Sequence, residues 1–535
     1  MPEARQAPRP PLPLPAGGLH EQTLPPLNAL RRAALAGYRQ IERGFDTLFG
    51  APLNPWRHLG ALGFFFFWLL ALSGIYLYAV LDTSAEGAYA SIDRLSREQW
   101  YLGGVLRSLH RYAADAFVVV TLAHLVREWL LGHYHGFRRF SWLTGVPLLL
   151  FAFVSGVGGF WLNWDQLGQF SAIATAEWLD WLPVFGSPMA RTFLTAGAVA
   201  DRLFSLFVFI HLGVPLLLLF GLWFHIQRLS RAAVFPPRAL AWGTCATLLA
   251  LALVVPVMSH EPADVALVPG ALALDWFLLF IHPLTDATSA GVVWLLLSAA
   301  LLLLLGLPLL PQPAAAPVAQ VDPANCNGCR RCFDDCPFAA ITMVPHANGR
   351  HGRQMAQVNA DLCASCGICV GSCPSSTPFR SAEELATGID MPASPIGVLR
   401  GRMAQALAAL HGKHRIVVIG CDHGARVATL AGPDVAPFSL VCTGMLPPSF
   451  VEYALRGGAA GVLVSGCREG GCEFRLGQQW TQARLQGTRE PHLRATVPRD
   501  RLAVTWVDRG DEPGLRAALD ELRRRIRTPV GLPHG

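Results

Sequence analysis

Charge is scarce in this chain. Asp, Glu, Lys and Arg make up 15% of its 535 residues, against 52% apolar ones. A soluble domain usually carries about 25% charged residues, so the deficit argues against a wholly soluble protein. The net charge of +6 is modest; it suits basic loops at a membrane face better than a nucleic-acid partner. Cysteine is almost missing from the first 320 residues: Cys245 alone precedes the twelve that run from Cys326 to Cys472. No secretory signal is recognisable. The first residues are rich in Pro and Arg, which reads as a disordered tail, with insertion through the first true span. No C-x-x-C-H is present, which excludes a covalently attached haem. No Walker loop and no G-x-G-x-x-G after a strand is found, so the chain itself is expected to bind neither nucleotide nor flavin.

What is present is unevenly divided. Long apolar runs fill the chain up to about Pro311, and the remainder is mixed, polar and Arg-rich. The expected fold is multidomain: an all-α transmembrane bundle of about six spans, then a small α+β domain, then an α/β domain. The spans are read at Leu59–Val80, Leu102–Leu131, Val146–Leu162, Leu203–Ile226, Leu240–Met258 and Ala290–Leu310. A weaker stretch, Leu272–Ile281, is too short to span and reads as a re-entrant or interfacial helix. The segments are 1–50, disordered or amphipathic; 51–238, a four-helix bundle; 239–311, two further spans; 312–323, a Pro/Ala linker; 324–380, a cysteine-rich domain; 381–412, a connector; and 413–530, an α/β domain.

Loop charge gives a sidedness. Arg31, Arg32, Arg39 and Arg43 precede the first span, Arg127, Arg138 and Arg139 follow the second, and Arg228, Arg231 and Arg238 follow the fourth. The alternate loops hold Asp82, Glu86, Asp93, Asp165, Glu177 and Asp180. The positive-inside rule puts the N-terminus, and after six spans the cysteine-rich half, in the cytoplasm. Clustered free thiols agree, because they need a reducing compartment.

Two histidines lie on the second span, His110 and His124, and two on the fourth, His211 and His225, each pair fourteen residues apart. Fourteen residues return to within about 40° of the same helix face and rise roughly 21 Å. Facing helices with this spacing make two bis-histidine sites stacked across a bilayer, each suited to a haem. Glycines repeat the interval, Gly60 with Gly74 and Gly145 with Gly159, and a flat macrocycle lies close only where side chains are missing. Arg107 and Arg127 stand three residues from His110 and His124, placed to pair with haem propionates.

The runs Arg-Ser-Leu-His (107–110), His-Leu-Val-Arg (124–127), Trp-Leu-Thr-Gly-Val (142–146), Gly-Phe-Trp-Leu-Asn-Trp (159–164) and His-Leu-Gly-Val-Pro (211–215) resemble the cytochrome b family of quinol-oxidising complexes. The resemblance implies that His110 pairs with His211 at an outer haem b and His124 with His225 at an inner one. It also implies homodimerisation. Leu-Asp-Trp-Phe (274–277) stands where that family has Pro-Glu-Trp-Tyr, which makes Asp275 the matching candidate for a quinol-site acid. The departures are the lost proline, the shorter acid, and Leu206 where the family usually has arginine.

Cys326, Cys329, Cys332 and Cys336 form C-x2-C-x2-C-x3-C followed by Pro337, and Cys363, Cys366, Cys369 and Cys373 repeat it before Pro374. This is the pattern of a two-cluster bacterial ferredoxin, in which each fourth cysteine serves the other cluster. The expected 4Fe–4S ligand sets are Cys326, Cys329, Cys332 with Cys373, and Cys363, Cys366, Cys369 with Cys336. Zinc needs only four ligands and no duplicated ending.

Cys421, Cys442, Cys467 and Cys472 border strand-like segments, and four thiolates suffice for a 2Fe–2S cluster. Cys-Thr-Gly-Met-Leu-Pro-Pro-Ser-Phe (442–450) and Gly-Cys-Arg-Glu-Gly-Gly-Cys-Glu-Phe (466–474) resemble the delta subunit of methyl-viologen-reducing hydrogenase, which implies a heterodisulfide-reductase-like partner. That family usually has another cysteine where Gly424 stands here. Strands are expected at Ile416–Gly420, Gly461–Ser465 and Leu502–Val507, and helices at Ser449–Arg456 and Gly514–Arg527.

Together these features lead to a membrane-bound electron-transfer chain. Two haems b, two 4Fe–4S clusters and a candidate 2Fe–2S cluster would link membrane quinone to a cytoplasmic, flavin-containing oxidoreductase, with lipid around the spans and no nucleic-acid partner. The setting is a bacterial or archaeal cytoplasmic membrane. The alternative is a non-catalytic membrane anchor for a ferredoxin domain, without quinone turnover.

Overall fold

The computed structural model describes residues 29–184, 187–193, 199–267, 271–310, 317–346, 353–379 and 385–527. The Pro-rich tail and part of the Pro/Ala linker lie outside the described residues. Residues 27–313 make one compact unit, and residues 314–535 fall in a second.

The first unit is helical. Its elements are α1 (Ala29–Phe49), α2 (Leu59–Val80), α3 (Gly87–Arg97), α4 (Val105–Leu131), α5 (Arg139–Asn163), α6 (Gln166–Asp180), α7 (Asp201–Ile226), α8 (Arg238–Val254), α9 (Ile281–Ala287) and α10 (Ala290–Gly306). Uninterrupted Leu, Phe, Val and Ala runs leave the chain one way to satisfy its backbone in lipid, the helix. Two of these helices tolerate an internal proline, Pro147 in α5 and Pro215 in α7. Gly132, in the left-handed region at φ 81°, ends α4. Helix α2 packs on α4 and α5 on α7. Leu62, Phe66, Phe67, Ala113, Phe117, Leu148, Ala152 and Leu218 make the shared core.

Among the described residues, four helical stretches are long and apolar enough to cross a membrane: Leu59–Val80, Gly136–Asn163, Asp201–Ile226 and Ala290–Leu309. About six were expected, and the two others differ for different reasons. Helix α4 has the length, 27 residues, but carries Arg107, Arg111, Asp115, Arg127 and Glu128. Helix α8 is apolar but has 17 residues, fewer than the roughly 20 that span a hydrocarbon core. The stretch Leu272–Ile281 is not a helix. Asp275 Oδ1 accepts the N–H groups of Phe277 (3.1 Å) and Leu278 (2.8 Å), which turns the backbone, and α9 begins only at Ile281.

The second unit opens with a duplicated α+β module. It contains β1 (Gln320–Val321), α11 (Arg331–Asp335), β2 (Ile341–Pro345), β3 (Gln354–Val358), α12 (Ile368–Ser372) and β4 (Ile389–Asp390), followed by α13 (Ile396–Ala409). Strands β2 and β3 form an antiparallel pair, as do β1 and β4. Gln320 and Val321, in the segment read as linker, thus pair with residues of the segment read as connector.

The rest is β5 (Ile416–Cys421), β6 (Val435–Leu440), α14 (Ser449–Arg456), β7 (Gly461–Gly466), α15 (Gly477–Gln486), β8 (Leu502–Trp506) and α16 (Glu512–Arg527). The four strands form a parallel sheet in the order β6-β5-β7-β8. Alternation along β5 splits its side chains. Ile416 and Val418 meet Leu515, Leu519 and Leu522 of α16 on one face, while Val417 and Ile419 join Leu399, Met403 and Leu407 of α13 on the other. Burying each of these side chains stabilises by about 1.5–3 kcal/mol. Strand β6 was not anticipated because it contains Pro437. It occupies a sheet edge, where a missing N–H costs no ladder bond.

Candidate metal centres

In the helical unit the four histidines and four glycines fall into two levels. A Cβ on Gly74 would approach His110 Cε1 at 3.2 Å, and one on Gly159 would approach His211 Cε1 at 3.1 Å. At the other level Gly60 faces His124 (3.5 Å) and Gly145 faces His225 (3.0 Å). A side chain at Gly74, Gly145 or Gly159 would press on an imidazole, and one at Gly60 would touch it. The His110 and His211 ring centres are 6.3 Å apart. Two imidazoles bound end-on to one metal at roughly 2.0 Å per bond have their centres roughly 6 Å apart, so the pair fits a single iron between them. His124 and His225 lie near enough for their charges to interact.

Hydrogen bonds orient three of these rings. Ser73 Oγ donates to Leu69 O (2.7 Å), so toward His110 Nδ1 (2.9 Å) it accepts. Thr144 Oγ1 donates to Phe140 O (2.8 Å) and accepts from His225 Nδ1 (3.2 Å). His211 Nδ1 donates to the Ser155 carbonyl (3.0 Å). In each case Nδ1 holds the proton, and the lone pair is on Nε2, the nitrogen left for a metal. His124 lacks such a hydroxyl; Glu128 Oε1 lies 3.9 Å from its Nδ1. Ser73, Thr144 and Ser155 carry no spacing signal, and sequence reasoning missed them.

Arg107 and Arg127 do not stand free. Arg107 is buried and donates to Ser96 Oγ (2.7 Å), Asn163 Oδ1 (2.8 Å) and Ser259 Oγ (3.0 Å). Arg127 pairs with Glu128 at 2.8 Å, and Glu128 also meets His133 at 2.5 Å. A cavity of about 810 Å³ encloses the first level and is lined by Gly74, Arg107, His110, Gly159, His211 and Asp275, among others. Asp275 faces it as half of an ion pair with Arg111, whose other carboxylate partner is Asp115.

In the second unit the two C-x2-C-x2-C loops share one backbone course. Gly328 and Arg330 in the first, and Ser365 and Gly367 at the equivalent positions of the second, have positive φ, between 54° and 72°. Such turns point successive N–H groups inward toward an anion. Burial first, then the charges of Cys373, Cys329 and Cys326, push the Cys332 thiol up to about 12. Burial likewise pushes Cys366 up, with Cys336, Cys363 and Cys472 as its charged neighbours. Each expected set therefore includes its distant fourth cysteine among the neighbours. A small apolar cavity of about 20 Å³ lies between Cys336, Cys363, Cys366 and Cys369. The sets differ in exposure: Cys329 is exposed, whereas Cys366 and Cys369 are buried.

Cys421, Cys442 and Cys467 follow or end the parallel strands β5, β6 and β7, at their carboxyl ends, where ligands collect in such sheets. Cys421 Sγ and Cys467 Sγ are 3.8 Å apart. Thiol hydrogen bonds from Cys442 and Cys467 hold both Cys421 and Cys472 well below the usual range, which closes the quartet. Four sulfurs gathered at the strand ends suit a metal cluster. Gly424 is no ligand, and it sits tightly against the chain at Cys467: a Cβ would lie 3.1 Å from Gly466 C and 3.3 Å from Cys467 N. Among the described residues, no three His, Cys, Asp or Glu side chains have the spacing of a single-ion cage.

Comparison with known families agrees with this layout. Residues 45–233 match the family model for cytochrome b/b6/petB, residues 325–377 that for a 4Fe–4S dicluster domain, and residues 416–528 that for the delta subunit of methyl-viologen-reducing hydrogenase. A solved structure titled "Hyperthermophilic respiratory Complex III" matches at 22% identity and a TM-score of 0.40, over 48% of this chain and 75% of that one. The cytochrome b match implies haem b, and the dicluster match implies 4Fe–4S clusters. The chain is therefore a membrane electron-transfer protein assembled, in order, from a cytochrome b segment, a 4Fe–4S dicluster segment and a hydrogenase-delta-subunit-like segment.

Proposed function

We propose that the chain passes electrons between membrane quinone and a soluble oxidoreductase partner. The observation that carries this reading is the doubled glycine–histidine level, a cradle for two haems within one helical bundle. His110 with His211 would hold the outer haem, and His124 with His225 the inner one. Cys326, Cys329, Cys332 and Cys373 would hold one 4Fe–4S cluster, and Cys363, Cys366, Cys369 and Cys336 the other. Cys421, Cys442, Cys467 and Cys472 would hold a 2Fe–2S cluster. These groups supply one-electron storage at successive positions; the chain fixes their order and excludes water.

The positive-inside pattern supports a cytoplasmic place for the thiol-bearing half. The cavity that would hold the outer haem between Gly74, His110, Gly159 and His211 also reaches Met258, Leu274 and Asp275, which supports a quinone site beside that haem with the Arg111–Asp275 pair as its polar groups. The hydrogenase-like segment supports a heterodisulfide-reductase-like or other flavin-containing partner. In purified full-length chain, His110→Ala is expected to abolish quinol-dependent reduction of the iron–sulfur groups while leaving the ferredoxin iron content intact. Retention of that reduction would mean that electrons bypass the His110 level and would sink the proposal.

A further inference from the structure

The thiol quartet of the α/β domain does not stand apart from the ferredoxin module; it is seated against one of that module's two halves. Four glycines line the seam. A Cβ on Gly367 or Gly371 of the second cysteine loop would overlap Met445 or the Gly444 carbonyl. A Cβ on Gly444 would overlap Ile368, and one on Gly477 would overlap Cys442 Sγ, with Ile368 Cδ1 at 3.5 Å. At Gly371 backbone meets backbone across the seam, and at Gly367 and Gly444 backbone meets a side chain that leaves no room for a Cβ.

Arg484, on α15, locks it. This guanidinium is 1% exposed. Its Nη1 donates to the Gly444 carbonyl (2.8 Å), two residues from Cys442. Its Nη2 donates to Ser372 Oγ (2.5 Å), next to Cys373, and pairs with Asp335, next to Cys336. Ser372 Oγ in turn donates to Asp335 (2.7 Å). Arg489, stacked 3.5 Å from the Trp480 ring, takes the other Asp335 oxygen, and Trp480 Nε1 donates to the Asp335 carbonyl (3.2 Å). One side chain thus touches segments carrying ligands from all three thiol sets. The quartet meets the buried set through Ile368, with Cys472 near Cys366, while the other set keeps the exposed Cys329.

We infer that Arg484 is a positioning residue that fixes the quartet against the Cys336, Cys363, Cys366, Cys369 set. That set is then the quartet's immediate electron-exchange neighbour, and the Cys326, Cys329, Cys332, Cys373 set is the module's outward-facing end. The exchange moves one electron, reducing one site as the other is oxidised, with no bond made or broken. This rests on the three-set reading proposed above.

The test is electron paramagnetic resonance on dithionite-reduced, detergent-solubilised full-length chain, with iron content measured on each sample. Cys329→Ser assigns the outward set's signal. Cys442→Ser is expected to lower iron content and to remove a spin–spin broadening from the buried set's signal alone. Arg484→Lys, which keeps the charge but loses the fork, is expected to weaken that broadening and shift the buried set's midpoint potential while leaving the outward set unchanged. If Arg484→Lys does not fold, Cys442→Ser still decides. The inference is overturned if Cys442→Ser leaves iron content unchanged, or if the broadening lost belongs to the outward set. It is also overturned if a folded Arg484→Lys chain keeps both the broadening and the potential. Loss of quinol-dependent haem reduction with the broadening intact would count against the quinone reading and leave this inference standing.

Discussion

The two halves of the molecule place their candidate metal ligands by opposite means. In the helical unit each ligand is set by its own helix: an interval of fourteen residues, repeated as histidine on two helices and as glycine on two others, fixes two levels before any tertiary contact is known. In the thiol-bearing unit each expected set draws on distant segments, and the third set is gathered from the ends of separate strands. A periodic scaffold specifies its sites locally. An interlaced one specifies them only when its modules dock, and it concentrates its buried charge at the docking seam.

That contrast sets different outcomes for single substitutions. The largest effect belongs to a ligand: His211→Ala should remove roughly half of the haem while sparing the ferredoxin iron, read by haem extraction and iron assay on one sample. Loss of both haems together would mean that the two levels are not independent. Next, Arg484→Met breaks the buried pair with Asp335, which keeps Arg489 and Ser372, and should cost about 3 kcal/mol, the low end for a broken buried pair, read by thermal or denaturant unfolding of the thiol-bearing unit in the full chain, with haem spectra unaltered. A change below 1 kcal/mol would contradict the seam as a stabilising contact.

A smaller effect depends on pH. Burial raises the Asp390 carboxyl to about 6, against the N–H groups of Met391 and Ile396 that its oxygens accept. A folded-state value above the unfolded one gives stability that is present at low pH and lost as pH rises from about 4 through about 6, roughly 2–3 kcal/mol in all. Asp390→Asn should flatten that slope, and an unchanged slope would assign it elsewhere. Smallest, Ser73→Ala removes the acceptor that orients His110 and should weaken haem retention at that level by about tenfold. Haem loss at the His124 level instead would contradict the pairing of rings and glycines.

Legibility in the sequence follows the same divide. The histidines, glycines and ferredoxin cysteines were readable because their chemistry demands a fixed spacing. The flanks of the spans were not, because length and charge trade off: α4 spends its length on Arg and Glu that the fold pairs internally, and α8 stops short. Strand β6 was hidden by Pro437, whose cost vanishes at an edge. Ser73, Thr144 and Arg484 were invisible, since a lone hydroxyl or one Arg among many acquires meaning only from what the fold brings against it. Asp275 was found by resemblance, and the structure gives it Arg111 as a partner, a contact that no local pattern encodes.

The central claim is that this chain exchanges electrons with quinone through a two-haem cradle. The most direct measurement is an anaerobic optical difference spectrum of the purified protein, titrated first with a quinol and then with dithionite. The expected result is a b-type signal that quinol reduces in part and dithionite completes. A chain that holds haem which quinol never reduces, or that holds no haem at all, would contradict it.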